Sequence, residues 1–146
     1  MTHDPIEILL VEDNEDDIIL TEEAFAVAKV MNLINNVRDG EVALAYLRRE
    51  GPYNDAVRPG LVLLDINMPK KNGFEVLEAI KEDSQLQSLP VIMLTSSERE
   101  EDIVRSYTYG ACSYVRKPVS LERFIDVVKQ LEVYWTLVSL IPGRRG

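Results

Sequence analysis

Four apolar runs of the chain each end in residues able to do chemistry. IEILLVED (6–13) closes on Glu12 and Asp13, LVLLD (61–65) on Asp65, PVIMLTS (90–96) on Thr95 and Ser96, and CSYVRKP (112–118) on Lys117 and a proline. Gathered on one rim, the three carboxylates and the ammonium carry a charge of about −2 at neutral pH. Two like charges about 4 Å apart repel by roughly 4 kcal/mol at an intermediate effective dielectric. Such a cluster either holds protons or draws in a divalent cation. Its hard oxygen ligands suit magnesium, which takes one or two carboxylates, keeps waters and accepts phosphate oxygens. A carboxylate such as Asp65 can also act as a nucleophile and become an aspartyl phosphate. Phosphoryl transfer then asks for positioning and for cations around the equatorial oxygens. Magnesium and Lys117 supply the cations, Thr95 a hydroxyl, and backbone N–H groups just after Asp65 complete the cradle.

Each piece has a plainer use on its own. EDNEDD (12–17) suits the acid-rich start of a helix, which the macrodipole favours. A strand-end aspartate is ordinarily a turn or cap residue. Thr95-Ser96-Ser97 reads as an N-cap, and Lys117 as a solvated loop lysine. The combination outweighs these readings, because independent caps need not fall on one rim.

The elements behind these residues follow from patterning. The first three runs are continuous rather than alternating, as in strands covered on both faces of a parallel sheet. NLINNVRD (32–39) is a more polar candidate for an edge or second strand. Between the runs lie helical patterns. Leu20, Ala24, Val27, Ala28 and Met31 make one stripe, and Phe74, Leu77 and Ile80 another after Gly73. A helix from Glu41 to Arg49 carries Val42, Leu44, Ala45 and Leu47 and stops at Gly51-Pro52. Ser97 to Tyr109 holds Ile103 and Tyr107 on one side and stops at Gly110. Ser120 is the N-cap of a last helix whose inner stripe is Leu121, Phe124, Ile125, Val128 and Leu131. The order is β-α five times, which predicts a doubly wound α/β domain with right-handed crossovers. Ligands of such sheets bind beyond the carboxyl ends of the strands, where the six rim residues fall.

Bulk composition narrows the function classes. At 146 residues with 46% hydrophobic content, the chain fits one domain with a real core. Its net charge of −9 opposes binding to nucleic acid or to anionic membranes. The single cysteine, Cys112, can form neither an internal disulfide nor a zinc site and reads as a small buried hydrophobe. A reducing, cytoplasmic setting is expected. MTHDPIEILL is no signal peptide, and no stretch reaches the roughly 18 apolar residues of a membrane span. His3 reads as a solvated terminal residue.

ILLVEDN, LVLLDINMPKKNG, PVIMLTS and YVRKP, in that order, resemble the receiver domains of bacterial two-component response regulators over residues 6 to 131. The resemblance implies a flavodoxin-like (βα)5 three-layer sandwich with strand order 2-1-3-4-5. It implies a phosphoacceptor rather than a turnover enzyme, fed by a sensor histidine kinase. Asp65 matches the phosphorylated aspartate. Asp13 matches a direct ligand of Mg2+ (or Mn2+), Glu12 a ligand through water, and Asn67 a ligand through its backbone carbonyl. Glu12 stands where the family more often has aspartate. Thr95 matches the switch hydroxyl, Lys117 the lysine that pairs with the phosphoryl group, and Tyr114 the switch aromatic. The Lys117-Pro118 bond is expected cis. In such proteins phosphate draws the threonine inward, the aromatic turns in, and the face of the fourth helix, fifth strand and fifth helix changes shape.

The tail QLEVYWTLVSLIPGRRG (130–146) exceeds what the fold requires. Val127, Leu131, Tyr134, Val138 and Ile141 make a second apolar stripe on the last helix, which calls for a second partner. A symmetric homodimer is the expected use, with folding back on the same domain as the alternative. The tail is similar to that of single-domain regulators paired with bacterial phytochrome kinases. No effector domain is expected within 1–146. A pseudo-receiver that never takes phosphate would predict a broken acidic pair or a missing lysine. A haloacid-dehalogenase-type phosphatase would need an aspartate at Asn67. An FMN carrier would repel its phosphate from EDNEDD.

Overall fold

The structure, a computed structural model, describes residues 7–27, 34–106 and 113–128. Five strands run parallel in the order β2-β1-β3-β4-β5: β1 (Ile8–Val11), β2 (Ile34–Val37), β3 (Leu61–Asp65), β4 (Val91–Thr95) and β5 (Ser113–Arg116). Each is followed by a helix: α1 (Glu15–Val27), α2 (Gly40–Arg48), α3 (Gly73–Glu82), α4 (Glu98–Ser106) and α5 (Leu121–Val128). The 51–60 connector carries one 3-10 turn, Gly51–Tyr53.

The continuous apolar runs are explained by the two cores they feed. Leu9, Val11, Val62, Leu64, Val91 and Met93 face α2, α3 and Val104 of α4. Their neighbours Ile8, Leu10, Leu61, Leu63, Ile92, Leu94 and Val115 face α1 and α5. Successive side chains of a strand point to opposite faces, so a strand with helices on both sides must be apolar at every position. Every residue of β1, β3 and β4 is buried. Asp65 and Thr95 share that burial, so the central strands carry polar groups into a dry rim.

Two helical stripes are phased differently from the sequence expectation. In α1 the inward residues are Ile18, Thr21 and Phe25, whereas Leu20 is 45% exposed. Apolar residues lie on more than one side of α1, and its packing against Phe124 of α5, with ring centroids 4.9 Å apart, selects the buried side. In α4, Val104 is buried and Ile103 is exposed. Phe74 in α3 is only partly buried, and Val76, Leu77 and Ile80 fill the inner face. Val27's side chain, Ala28, Met31, Tyr107, Cys112, His3, Leu131 and the 130–146 tail lie outside the described residues, as do the side chains of Leu121 and Val128.

The helix starts are chemically marked. Asn14 Oδ1 accepts from the Asp17 N–H, Asp39 Oδ1 from Val42, Ser97 Oγ from Glu100 and Ser120 Oγ from Arg123, at 3.0, 2.8, 3.2 and 3.2 Å. Asn72 and Glu75 form a reciprocal capping box that starts α3 just after the β3 loop.

Candidate functional site

Strand register brings the rim residues together. Val11 lies opposite Leu64, so Glu12 and Asp65 follow at the same level on neighbouring strands. Asp65 lies opposite Leu94, placing Thr95 one residue beyond it, and Thr95 lies opposite Arg116, placing Lys117 one step further. The Lys117 N–H donates to the Thr95 carbonyl at 2.8 Å, tying the ends of β4 and β5. The Lys117–Pro118 peptide is cis, as the resemblance implied.

The side chains converge accordingly. Lys117 Nζ lies 2.9 Å from Asp17 Oδ2, 3.0 Å from Asp65 Oδ1 and 3.2 Å from Glu12 Oε1. Carboxylate oxygens of Glu12, Asp13 and Asp65 lie within 4.8 Å of one another. Glu12 and Asp65 are buried while Asp13 is exposed, so the cluster opens to solvent on one side. Among the described residues, Asp65 Oδ1 and Thr95 Oγ1 are buried without a hydrogen bond. The Lys117 contact to Asp65 is thus an ion pair without hydrogen-bond alignment. A buried polar atom without a hydrogen bond is costly, and Asp65 Oδ1 has only its ion pair while Thr95 Oγ1 has no partner.

The charges register this crowding. Burial raises the Glu12 pKa to about 7, the Asp65 charge adds to the rise, and Lys117 opposes it. Burial also raises Asp65, against the opposing pull of the adjacent Lys117 ammonium. Lys117 is held above its ordinary value: burial would lower it, but the hydrogen bond to Asp17 and the ion pairs with Asp65 and Glu12 prevail. Three carboxylates with oxygens within 4.8 Å of one another, two of them buried, fit a hard divalent cation.

The loop after β3 is shaped for close approach. A Cβ on Gly73 would sit 2.4 Å from the Asp65 carbonyl oxygen, and the Gly73 N–H donates to Ile66 O at 2.9 Å. Lys70 takes a left-handed φ of 66°, turning the chain between Pro69 and α3. Asn67 is exposed, and its amide donates to Glu100 Oε2 at 2.7 Å. Tyr114 points its hydroxyl toward Arg105 of α4, whose guanidinium lies 5.6 Å from the ring centroid. Its ring stays half-buried against the core on the α2–α4 side.

Sequence reasoning missed two members of this neighbourhood. Asp17 was covered only by the helix-start reading of EDNEDD, although it stands one helical turn after Asp13 and holds Lys117 at 2.9 Å. Glu100 joins the β3 and β4 loops, and its one signal was Ser97-x-x-Glu100, the spacing of a capping box.

Residues 8–129 match the response regulator receiver domain, and the chain belongs to that family. Phytochrome response regulators are among the solved structures it resembles. It is 37% identical to response regulator Rcp1 of Synechocystis sp. over 139 residues, covering 95% of either chain. The bacteriophytochrome response regulator RtBRR is 42% identical with a TM-score of 0.84, over 97% of this chain and 87% of that one. The phosphorylated cyanobacterial phytochrome response regulator RcpA is 44% identical with a TM-score of 0.75, over 96% of this chain and all of that one. Rcp1 has also been solved in a Mn2+-bound form, with a TM-score of 0.73 at 37% identity over 95% of this chain and all of that one.

Proposed function

We propose that this chain is a single receiver domain over 1–146, with a core at about 6–131, that accepts a phosphoryl group on Asp65 from a sensor histidine kinase. The observation that carries the reading is the buried Asp65 at the end of β3, with Lys117 at 3.0 Å and the Glu12 and Asp13 carboxylates within 4.8 Å. In the transfer an ionised Asp65 oxygen bonds to phosphorus as the P–N bond of a phosphohistidine breaks. The imidazole leaves with the electron pair and takes up a proton. Glu12, Asp13, Asp65 and the Asn67 carbonyl would hold Mg2+ or Mn2+, which supplies positive charge against the phosphoryl oxygens when bound. Lys117 supplies the second cation and keeps its proton, since its acidity is suppressed. Thr95, whose Oγ1 is buried and unpaired, is the hydroxyl free to bond the new phosphoryl oxygen.

That bond draws Thr95 toward Asp65, and Tyr114 leaves Arg105 for the space vacated. Phosphate thereby favours one of two arrangements of the α4-β5-α5 face, which recruits a protein partner or passes the group on. Likeness to phytochrome regulators supports a phytochrome-type kinase as donor and a cytoplasmic setting. Among the described residues no helix is long and apolar enough to cross a membrane. The last helix and the 132–146 extension supply a homodimer contact.

Incubation with phosphoramidate and magnesium, followed by intact mass, tests the central assignment. One added phosphoryl group is expected on the wild-type chain and none on Asp65→Asn. Equal labelling of both sinks it.

A further inference from the structure

Glu100, the third residue of α4, is the N3 partner that a capping box at Ser97 calls for, yet its carboxylate is not spent on Ser97. Oε1 accepts from the Ser96 N–H at 2.7 Å and from Ser96 Oγ at 3.1 Å, and Oε2 accepts from Asn67 Nδ2 at 2.7 Å. One carboxylate thus bridges the loop that follows Asp65 and the loop that follows Thr95. The Ser96 amide is the first backbone donor after Thr95, and Asn67 stands two residues after Asp65. The strand ends from which these loops start carry the two buried oxygens without hydrogen bonds, Asp65 Oδ1 and Thr95 Oγ1.

We propose that Glu100 is an internal anion occupying the Ser96 and Asn67 donors that a phosphoryl group on Asp65 would otherwise engage, so that it sets how readily the site accepts that group. The inference rests on reading Asp65 as the phosphoacceptor. A group with three charged oxygens seeks backbone N–H donors at the mouth of such a site. Here the donor next to Thr95 is already taken by a carboxylate. An incoming phosphoryl group must displace Glu100 and meets its charge while doing so.

Displacement has a consequence along α4. The next residue, Glu101, pairs with Arg116 of β5 at 2.7 Å, and Arg105, one turn on, bonds Tyr114. Releasing Glu100 frees the first turn of α4 at the point where that helix grips β5. The contact is therefore a restraint on acceptance and a mechanical link to the Tyr114 face.

The test uses the full chain, magnesium and beryllofluoride, a phosphoryl mimic that binds an aspartate without turnover. Glu100→Gln removes the charge and keeps the shape; Glu100→Ala removes the bridge. Both are expected to bind beryllofluoride about three- to tenfold more tightly than wild type and to react with phosphoramidate faster by a similar factor, the range for the net worth of one ordinary hydrogen bond. The Ser96 amide NMR resonance is expected to move on beryllofluoride binding to wild type, and to move in Glu100→Ala with no anion present. A merely structural role for Glu100 would weaken binding instead. If wild type binds the mimic while both variants bind it no better, or if the Ser96 amide stays put, the Glu100 assignment is overturned. If wild type takes neither mimic nor phosphate, the phosphoacceptor reading falls and this one with it.

Discussion

Glu12 and Asp65 hold protons more tightly than solvated carboxylates do, and pH therefore reports directly on the crowded rim. A folded pKa above the unfolded one means that the native state binds the extra proton. For Glu12, stability is fully present below the ordinary value of 4.5 and is lost as pH rises through about 7. Asp65 acts in the same direction. Glu100 is shifted the other way, so its contribution is lost only below the ordinary carboxylate range, outside this window. In chelator, urea unfolding is expected to show stability falling between pH 5 and pH 8 by on the order of 2 kcal/mol. Asp65→Asn should reduce that fall and leave the part due to burial of Glu12, and saturating magnesium should abolish it by favouring the ionised acids. A metal-free wild type that becomes more stable over the same interval would contradict the reading.

At the scale of elements, the β3–α3 junction holds the acceptor in place by two separable means. Asn72 and Glu75 cap α3, and Gly73 lets the helix start press against the Asp65 carbonyl. Asn72→Ala is expected to cost about 1 kcal/mol, the ordinary worth of an N-cap, and to leave reactivity with phosphoramidate within about twofold. Gly73→Ala is different, because its Cβ would meet backbone atoms at 2.4 and 2.8 Å and the turn must open. It is expected to cost about 1–3 kcal/mol and to slow phosphorylation by about tenfold or more, since small misplacements of reacting groups are costly. Chemical unfolding and phosphorylation time courses separate the two effects. Equal rates in both variants would show that the turn does not position Asp65.

The whole chain carries a net charge of −9, and its sequence repeats apolar residues at helical spacing from Val127 to Ile141. Phe124 and Ile125 are buried against β5 and α1, while Val127, the first member of the proposed outer stripe, already packs partly on the same core. A dimer contact of the kind proposed would therefore have to come from Leu131 onward, outside the described residues. Sedimentation of the full chain is expected to give a dimer, and a chain ending after Leu131 a monomer, with phosphoramidate and without. A monomeric full chain under both conditions would assign the tail to its own domain.

Sequence alone determined the sheet and most of the site. Continuous apolar runs are required where helices cover both faces, and a rim residue at the end of each run is legible because strand ends are where a parallel sheet gathers polar groups. Glu12, Asp13, Asp65, Thr95 and Lys117 were all readable in this way; the structure brings the carboxylates and Lys117 together and sets Thr95 at the end of the neighbouring strand. Ser120 was readable as a cap because its hydroxyl acts within one turn. Tertiary structure decided what local pattern leaves degenerate. Which side of α1 and α4 is buried depends on the neighbour, so Ile18 and Val104 replace Leu20 and Ile103. The use of long flexible acids was equally closed to sequence: Asp17 reaches a lysine 100 residues away, and Glu100 turns from its own helix cap to bridge two loops. Such partners are set by where strands end in space, and the spacing of residues along the chain does not encode that distance.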